Sequence, residues 1–140
     1  MIVAYDLDGV LAESPRESKP WKSMSGRERQ ERKKYLLQHY HEANVLYNPP
    51  EKKFYVITAR KNDSKAISSW WLKRNFGKRI LGVFFLNTSR TIQNVIAFKS
   101  GVLKQIKADI FIEDNKEVVK GIRKQCPGIE IKIFPEEVLK

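Results

Sequence analysis

Ile2-Val3-Ala4-Tyr5-Asp6-Leu7-Asp8-Gly9-Val10 runs from a short apolar stretch straight into two acids and a glycine. An apolar run without alternation suits a strand covered on both faces, as in a parallel sheet. Side chains alternate along extended backbone, so Asp6 and Asp8 project to the same side and Leu7 to the other. Gly9 lets the chain turn sharply behind them and leaves both acids at the sheet edge. Carboxylates this close repel each other, a costly arrangement unless a cation or a catalytic task compensates. Asp-x-Asp-Gly also opens calcium loops, but residues 10–17 offer only Glu13 and Glu17, at the wrong spacing for the remaining ligands. A pair of solvated turn carboxylates before a glycine is the lesser reading of this stretch alone, and the rest of the chain must decide.

Four further runs of the same character occupy 53–58, 80–86, 109–113 and 129–134, which with 2–6 makes five expected strands. Helical patterns lie between them. Asp63 or Ser64 can cap a segment bearing Ile67, Trp70 and Trp71, ended by Gly77. Ser100 is expected to start a second helix, with Val102, Leu103 and Ile106 inward. Asn115 opens a third with Val118, Val119 and Ile122 inward, stopped before Pro127-Gly128. Strand and helix in alternation point to an α/β fold, a doubly wound Rossmann-like parallel sheet. Residues 12–24 break the rhythm with prolines and serines, and 25–47 then read as a charged helix. Arg27/Glu31 and Glu28/Arg32 are spaced as pairs on it, and Leu36, Tyr40, Ala43 and Tyr47 form an apolar stripe. Asn48-Pro49-Pro50 closes the segment. Residues 12–50 are read as a small helical cap insertion over the carboxyl end of the sheet, where open α/β folds place their ligands. An ordinary crossover helix preceded by a long loop is the other reading.

A length of 140 residues sets one domain, 1–140, with no room for a second core. Hydrophobic residues make up 41% and charged residues 31%, a balance that excludes a disordered or membrane-embedded chain. The 27 basic residues against 16 acidic ones give a formal charge of +11, which favours a phosphate-bearing or otherwise anionic partner. The surplus is uneven: residues 51–80 hold nine basic and two acidic residues, whereas 111–140 hold six of each. The single cysteine, Cys126, excludes an intrachain disulfide and a cysteine-built zinc site. His39 and His41 lie two apart on a helix and cannot face one ion together. No apolar run approaches the roughly 20 residues of a membrane span. Met1-Ile2-Val3-Ala4-Tyr5 carries no targeting signal, so a cytoplasmic location is expected.

Three other stretches carry chemistry. Phe54-Tyr55-Val56-Ile57-Thr58-Ala59-Arg60 brings a hydroxyl, backbone N–H groups and a guanidinium to the same sheet edge as Asp6, all suited to phosphate oxygens. Lys99, expected at a helix start, is a cation placed against the positive helix end and therefore invites an anion. Lys104 and Lys107 lie further along that helix. Ile110-Phe111-Ile112-Glu113-Asp114-Asn115 delivers two more acids to the carboxyl end of a strand, while Asp109 falls at the opposite end. Carboxylates converging on one edge of a basic protein suggest a divalent metal, and an oxygen-only ligand set points to Mg2+.

These residues together resemble the four motifs of the haloacid dehalogenase superfamily of phosphohydrolases: DLDGV at 6–10, the strand ending in Thr58, Lys99, and IFIEDN at 110–115. The motifs come in the family's order, and the resemblance runs from Met1 to about Phe134. Thr58-Ala59-Arg60, the tryptophans and the Glu113-Asp114 end are most similar to small nucleotide phosphatases and polynucleotide 3′-phosphatase domains. Two departures are Glu113, where that branch usually has aspartate, and Val10 in place of threonine.

The resemblance implies a magnesium-dependent phosphomonoester hydrolase. Asp6 would be the nucleophile that forms an aspartyl-phosphate, and Asp8 the general acid and then base. Thr58 and Lys99 would be catalytic in binding the transferring phosphoryl oxygens, with Ala59 and Arg60 also binding substrate. Mg2+ would be held by Asp6, the backbone carbonyl of Asp8 and Asp114, with Glu113 in the outer shell. The implied substrate is a nucleotide or a phosphorylated nucleic-acid end. The alternative is a basic nucleic-acid-binding protein without turnover, using Trp70 and Trp71 for stacking. Their spacing with Ile67 also suits core packing between helix and sheet.

Overall fold

The computed structural model describes residues 1–139. In chain order the elements are β1 (Val3–Tyr5), α1 (Gly26–Glu42), β2 (Phe54–Lys61), α2 (Lys65–Phe76) and β3 (Ile80–Leu86). They continue with α3 (Ile92–Gln105), β4 (Ile110–Glu113), α4 (Lys116–Gln125) and β5 (Glu130–Ile133). The five strands form one all-parallel sheet in the order β3-β2-β1-β4-β5, a doubly wound Rossmann-like arrangement.

Strand alternation divides the core into two halves. Val3, Tyr5, Leu7, Phe54 and Val56 pack with Trp71, Leu72 and Phe76 of α2. Ala4, Ile57 and Phe111 pack with Val102 and Leu103 of α3 and Val119 and Ile122 of α4. Both faces of the central strands are therefore dry, which is why their sequences are apolar runs rather than alternating ones. The chain winds outward through β1, β2 and β3, then α3 carries it back across β1 to β4. That reversal opens the sheet's carboxyl edge beside β1, where Asp6 and Asp8 emerge. Asp6 N still donates to Ile112 O at 2.9 Å, so the β1–β4 ladder reaches as far as the first acid.

Local signals set most helix ends. Ser25 and Glu28 make a reciprocal capping box at α1, and Asn115 accepts from Val118 N at the start of α4. Gly77 closes α2 in left-handed backbone at φ 59°. The helix start expected at Ser100 is corrected. Thr91 caps α3, accepting from Asn94 N, and the helix begins at Ile92. Lys99 is therefore mid-helix. Val95, Lys99, Val102 and Leu103 share one buried face, which places a lysine inside an apolar stripe.

Within segment 12–50, α1 is the crossover between β1 and β2 and lies against α2, with Trp71 Nε1 donating to Ala43 O at 2.8 Å. The loop ahead of it borders the sheet's carboxyl edge and contributes Ser14 there. Among the described residues, no helix is long and apolar enough to cross a membrane.

Candidate active site

The carboxyl ends of β1, β2 and β4 and the middle of α3 enclose a cleft of about 340 Å³, lined by Asp6, Asp8, Thr58, Lys99, Glu113 and Asp114 among others. Its floor is an ionic triad. Lys99, 2% exposed, places Nζ 3.0 Å from Asp6 Oδ1 and 2.6 Å from Glu113 Oε1. Asp6 Oδ1 also accepts from Leu7 N at 2.9 Å. Glu113 Oε2 accepts from the N–H groups of Asp114 and Asn115 at 3.0 and 3.1 Å, so the glutamate is bonded through both oxygens.

Burial and charge act against each other here. Burial raises the Asp6 pKa well above its ordinary value, Glu113 adds to the rise, and Lys99 only partly offsets it. Burial also works against the Glu113 anion, but the charge of Lys99 and the hydrogen bonds around it bring that group down to about 2. Burial disfavours the Lys99 cation, yet the charges of Asp6 and Glu113 raise its pKa overall. Asp114 is pushed up to about 6, by burial first and then by its hydrogen bond to Glu113 and that group's charge.

The second acid has its own partner. Arg60 forks onto Asp8, with Nε 2.9 Å from Oδ2 and NH2 2.6 Å from Oδ1. Arg60 NH1 donates to Ser68 Oγ of α2 at 2.9 Å, and its guanidinium lies 3.8 Å from the ring centroid of Tyr40 on α1. Thr58 is buried, and its Oγ1 accepts from Arg60 N at 3.1 Å.

The donor set fits a hard divalent cation. Oxygens of Asp6, Glu113 and Asp114 lie within 4.8 Å of one another. Four carboxylates (Asp6, Asp8, Glu113, Asp114) against two buried cations (Lys99, Arg60) leave a formal charge of −2. Burial first, and Glu113 after it, raises the pKa of both Asp6 and Asp114. Because Glu113 is committed to Lys99, Asp6 and Asp114 are the side chains with capacity left for an ion.

No protein-family model matches the sequence, and no curated protein matches it. Among solved structures, the chain is similar to one in the Pnkp1/Rnl/Hen1 RNA repair complex, with a TM-score of 0.61 and 13% identity. That match covers 94% of this chain and 41% of the other, so this chain spans well under half of its neighbour's length. It is also similar to a haloacid dehalogenase-like family hydrolase from Streptococcus pneumoniae, with a TM-score of 0.56 and 16% identity over 93% of this chain and 82% of that one. The fold is haloacid dehalogenase-like.

Within this haloacid dehalogenase-like fold the expected residues do converge, with two differences of placement. Asp6, Asp8, Thr58, Lys99, Glu113 and Asp114 all line one cleft. Lys99 reaches it from the body of α3 instead of from a helix start. Arg60, expected to fork onto phosphate oxygens, is 3% exposed and forks onto Asp8 instead, because that carboxylate is the nearest anion its buried guanidinium can meet. Ala59 also lines the cleft. Sequence reasoning missed Ser68 and Tyr40 behind Arg60, and Ser14 and Arg90 at the cleft wall. Tyr40 was visible as an aromatic in the α1 stripe; nothing in the sequence marked Ser68.

Proposed function

We propose that the protein is a magnesium-dependent phosphomonoester hydrolase that works through an aspartyl-phosphate. The observation that carries this reading is the pair of acids behind β1, one against a buried lysine and the other against a buried arginine, at an open sheet edge with two further carboxylates. With Asp6 Oδ1 held by Lys99 and Leu7 N, Oδ2 is the oxygen that attacks phosphorus. The P–O ester bond breaks as the new P–O bond forms, and the departing oxygen takes a proton from Asp8. Water then attacks the aspartyl-phosphate, giving its proton back to Asp8 and releasing phosphate and the Asp6 carboxylate. Lys99 and Thr58 steady the charge that spreads over the phosphoryl oxygens. Asp6, the backbone carbonyl of Asp8 and Asp114 would hold Mg2+, with Glu113 behind, and the ion would supply the charge that lets two anions approach each other.

A nucleotide or a phosphorylated nucleic-acid end is the substrate that suits a +11 chain whose excess centres on residues 51–80. The similarity to a chain of an RNA repair complex agrees with that choice. In this reading residues 1–140 act as one domain in the cytoplasm, with 12–50 flanking the mouth of the cleft.

Phosphate release from p-nitrophenyl phosphate with and without Mg2+ tests the reaction, followed by a set of 3′- and 5′-phosphorylated nucleotides and oligonucleotides. Asp6→Asn should lower the rate by about 10³-fold or more with circular dichroism unchanged, as expected for loss of a nucleophile. Wild-type turnover in that variant sinks the nucleophile assignment. Salt-sensitive oligonucleotide binding with no phosphate release would instead favour a binding protein.

A further inference from the structure

We propose that Arg60 is a positioning residue for Asp8 and takes no phosphate oxygen; this rests on the phosphatase reading above. The arginine is held from three elements. Its own backbone N donates to Thr58 Oγ1 within β2, NH1 donates to Ser68 Oγ of α2, and Tyr40 of α1 covers the guanidinium face. A cation against an aromatic face gains electrostatic attraction and is kept from water. Ser68 and Tyr40 are themselves buried, so the support behind Arg60 is as fixed as the core. The Nε–NH2 edge of the guanidinium forks onto both oxygens of Asp8. At 3% exposure, and with its Nε–NH2 edge already on Asp8, the guanidinium offers a ligand in the cleft almost no surface.

Asp8 is in the opposite situation. It lies beyond the last residue of β1, ahead of Gly9, and its side chain is 27% exposed. Without a partner its carboxylate would sample several orientations, yet the proposed reaction needs it in line first with a leaving oxygen and then with a water. Misplacement by about 1 Å costs on the order of 10²-fold in rate. A bidentate fork on a guanidinium locked by packing fixes both the position and the plane of the carboxylate. The crossover helix α1, distant in sequence from every acid of the site, thereby contributes to it through Tyr40.

The experiment measures kcat and KM with p-nitrophenyl phosphate and Mg2+, the affinity for inorganic phosphate by calorimetry, and a double-mutant cycle with Asp8→Asn in single turnover. Arg60→Met should lower kcat by about 10²-fold while KM and phosphate affinity stay within about twofold, the split expected of a residue acting through another. In the Asp8→Asn background Arg60→Met should remove no more than about twofold further, since coupled residues are not additive. Arg60→Lys should recover little, because an ammonium cannot fork. A KM or phosphate affinity weakened about tenfold with kcat retained, or an undiminished effect of Arg60→Met on Asp8→Asn, would overturn the inference and return Arg60 to the substrate. If Arg60→Met does not fold, Tyr40→Leu and Ser68→Ala carry the test. A fall in kcat alone supports the inference, and unchanged kcat in both overturns it. Absence of turnover in the wild type overturns the phosphatase reading and this inference with it, whereas a KM effect in an active enzyme overturns this inference alone.

Discussion

Gly9 stands where any side chain would strike Asp114: a Cβ built on it would lie 2.0 Å from Asp114 Oδ2. Its φ of 83° is also left-handed backbone that other residues rarely adopt. Turn and carboxylate are thus made for each other, and Asp114 can sit beside Asp6 only because position 9 is bare. Gly9→Ala should cost about 1–2 kcal/mol from backbone strain alone. It should also weaken Mg2+ binding by about tenfold or more, since displaced ligands routinely lose that much affinity. Calorimetry with Mg2+ and urea unfolding read the two effects separately. An alanine variant that binds Mg2+ as tightly as the parent would show that this contact does not govern Asp114.

Lys99 holds two buried carboxylates, so its removal leaves like charges facing each other without a cation. Lys99→Met should cost about 3–5 kcal/mol in urea unfolding, the usual penalty for orphaning a buried charge. Glu113→Gln keeps Lys99 on Asp6 and should cost less, about 1–3 kcal/mol, because an amide oxygen still accepts. The order of the two variants is the test. A smaller loss for Lys99→Met than for Glu113→Gln would mean that the triad does not stabilise the fold.

Stability should depend on pH in a direction set by Asp114. Its pKa rises from 3.8 to about 6 in the fold, by burial and then by Glu113. A raised carboxyl stabilises the fold as the neutral acid, so its contribution is whole below pH 3.8 and is lost as pH climbs through about 6. Asp6 is raised as well and acts in the same sense. Glu113, lowered from 4.5 to about 2, acts in the opposite sense, contributing above 4.5 and failing as pH falls towards 2. Across the window from about 4.5 to 6 Asp114 changes charge while Glu113 stays ionised. Without divalent metal, Asp114→Asn should therefore gain in melting temperature relative to the parent as pH rises from 4.5 to 7. Mg2+ should raise the parent's melting temperature more at pH 7.5 than at pH 5, since it needs both carboxylates ionised. Thermal melts at the two pH values check this, and an equal Mg2+ shift at both would refute it.

What the sequence made legible was local. Continuous apolar runs located the strands, Asn115 announced α4, and the spacing of Asp6 and Asp8 put both acids at one edge. What it hid was set by distant partners. Lys99-Ser100-Gly101 resembles a helix start because a lysine followed by small residues breaks an apolar pattern. Its burial is made tolerable by Asp6, 93 residues away, and by Glu113. Arg60 reads as a surface guanidinium ready for phosphate until Asp8, 52 residues earlier, is brought onto it. Charge in a sequence gives the inventory of ions, whereas the fold decides which of them meet.

The adjacent tryptophans show the same limit within one helix, and they separate cleanly by experiment. Neighbouring residues on an α-helix point about 100° apart, so Trp70 and Trp71 cannot both face the sheet. Trp71 is 2% exposed, packs with Phe76 and gives its Nε1 hydrogen to Ala43 O. Trp70 is 41% exposed and stacks on His41 of α1, with ring centroids 4.4 Å apart and planes within 8°. Trp71→Ala should cost about 3–5 kcal/mol, the loss expected for a large buried ring. Trp71→Phe should still cost about 1–2 kcal/mol by leaving the Ala43 carbonyl without its donor. Trp70→Ala removes an exposed stack and should cost no more than about 1 kcal/mol. Urea unfolding of the three variants measures the differences, and a Trp70→Ala loss matching that of Trp71→Ala would make the stack on His41 part of the core.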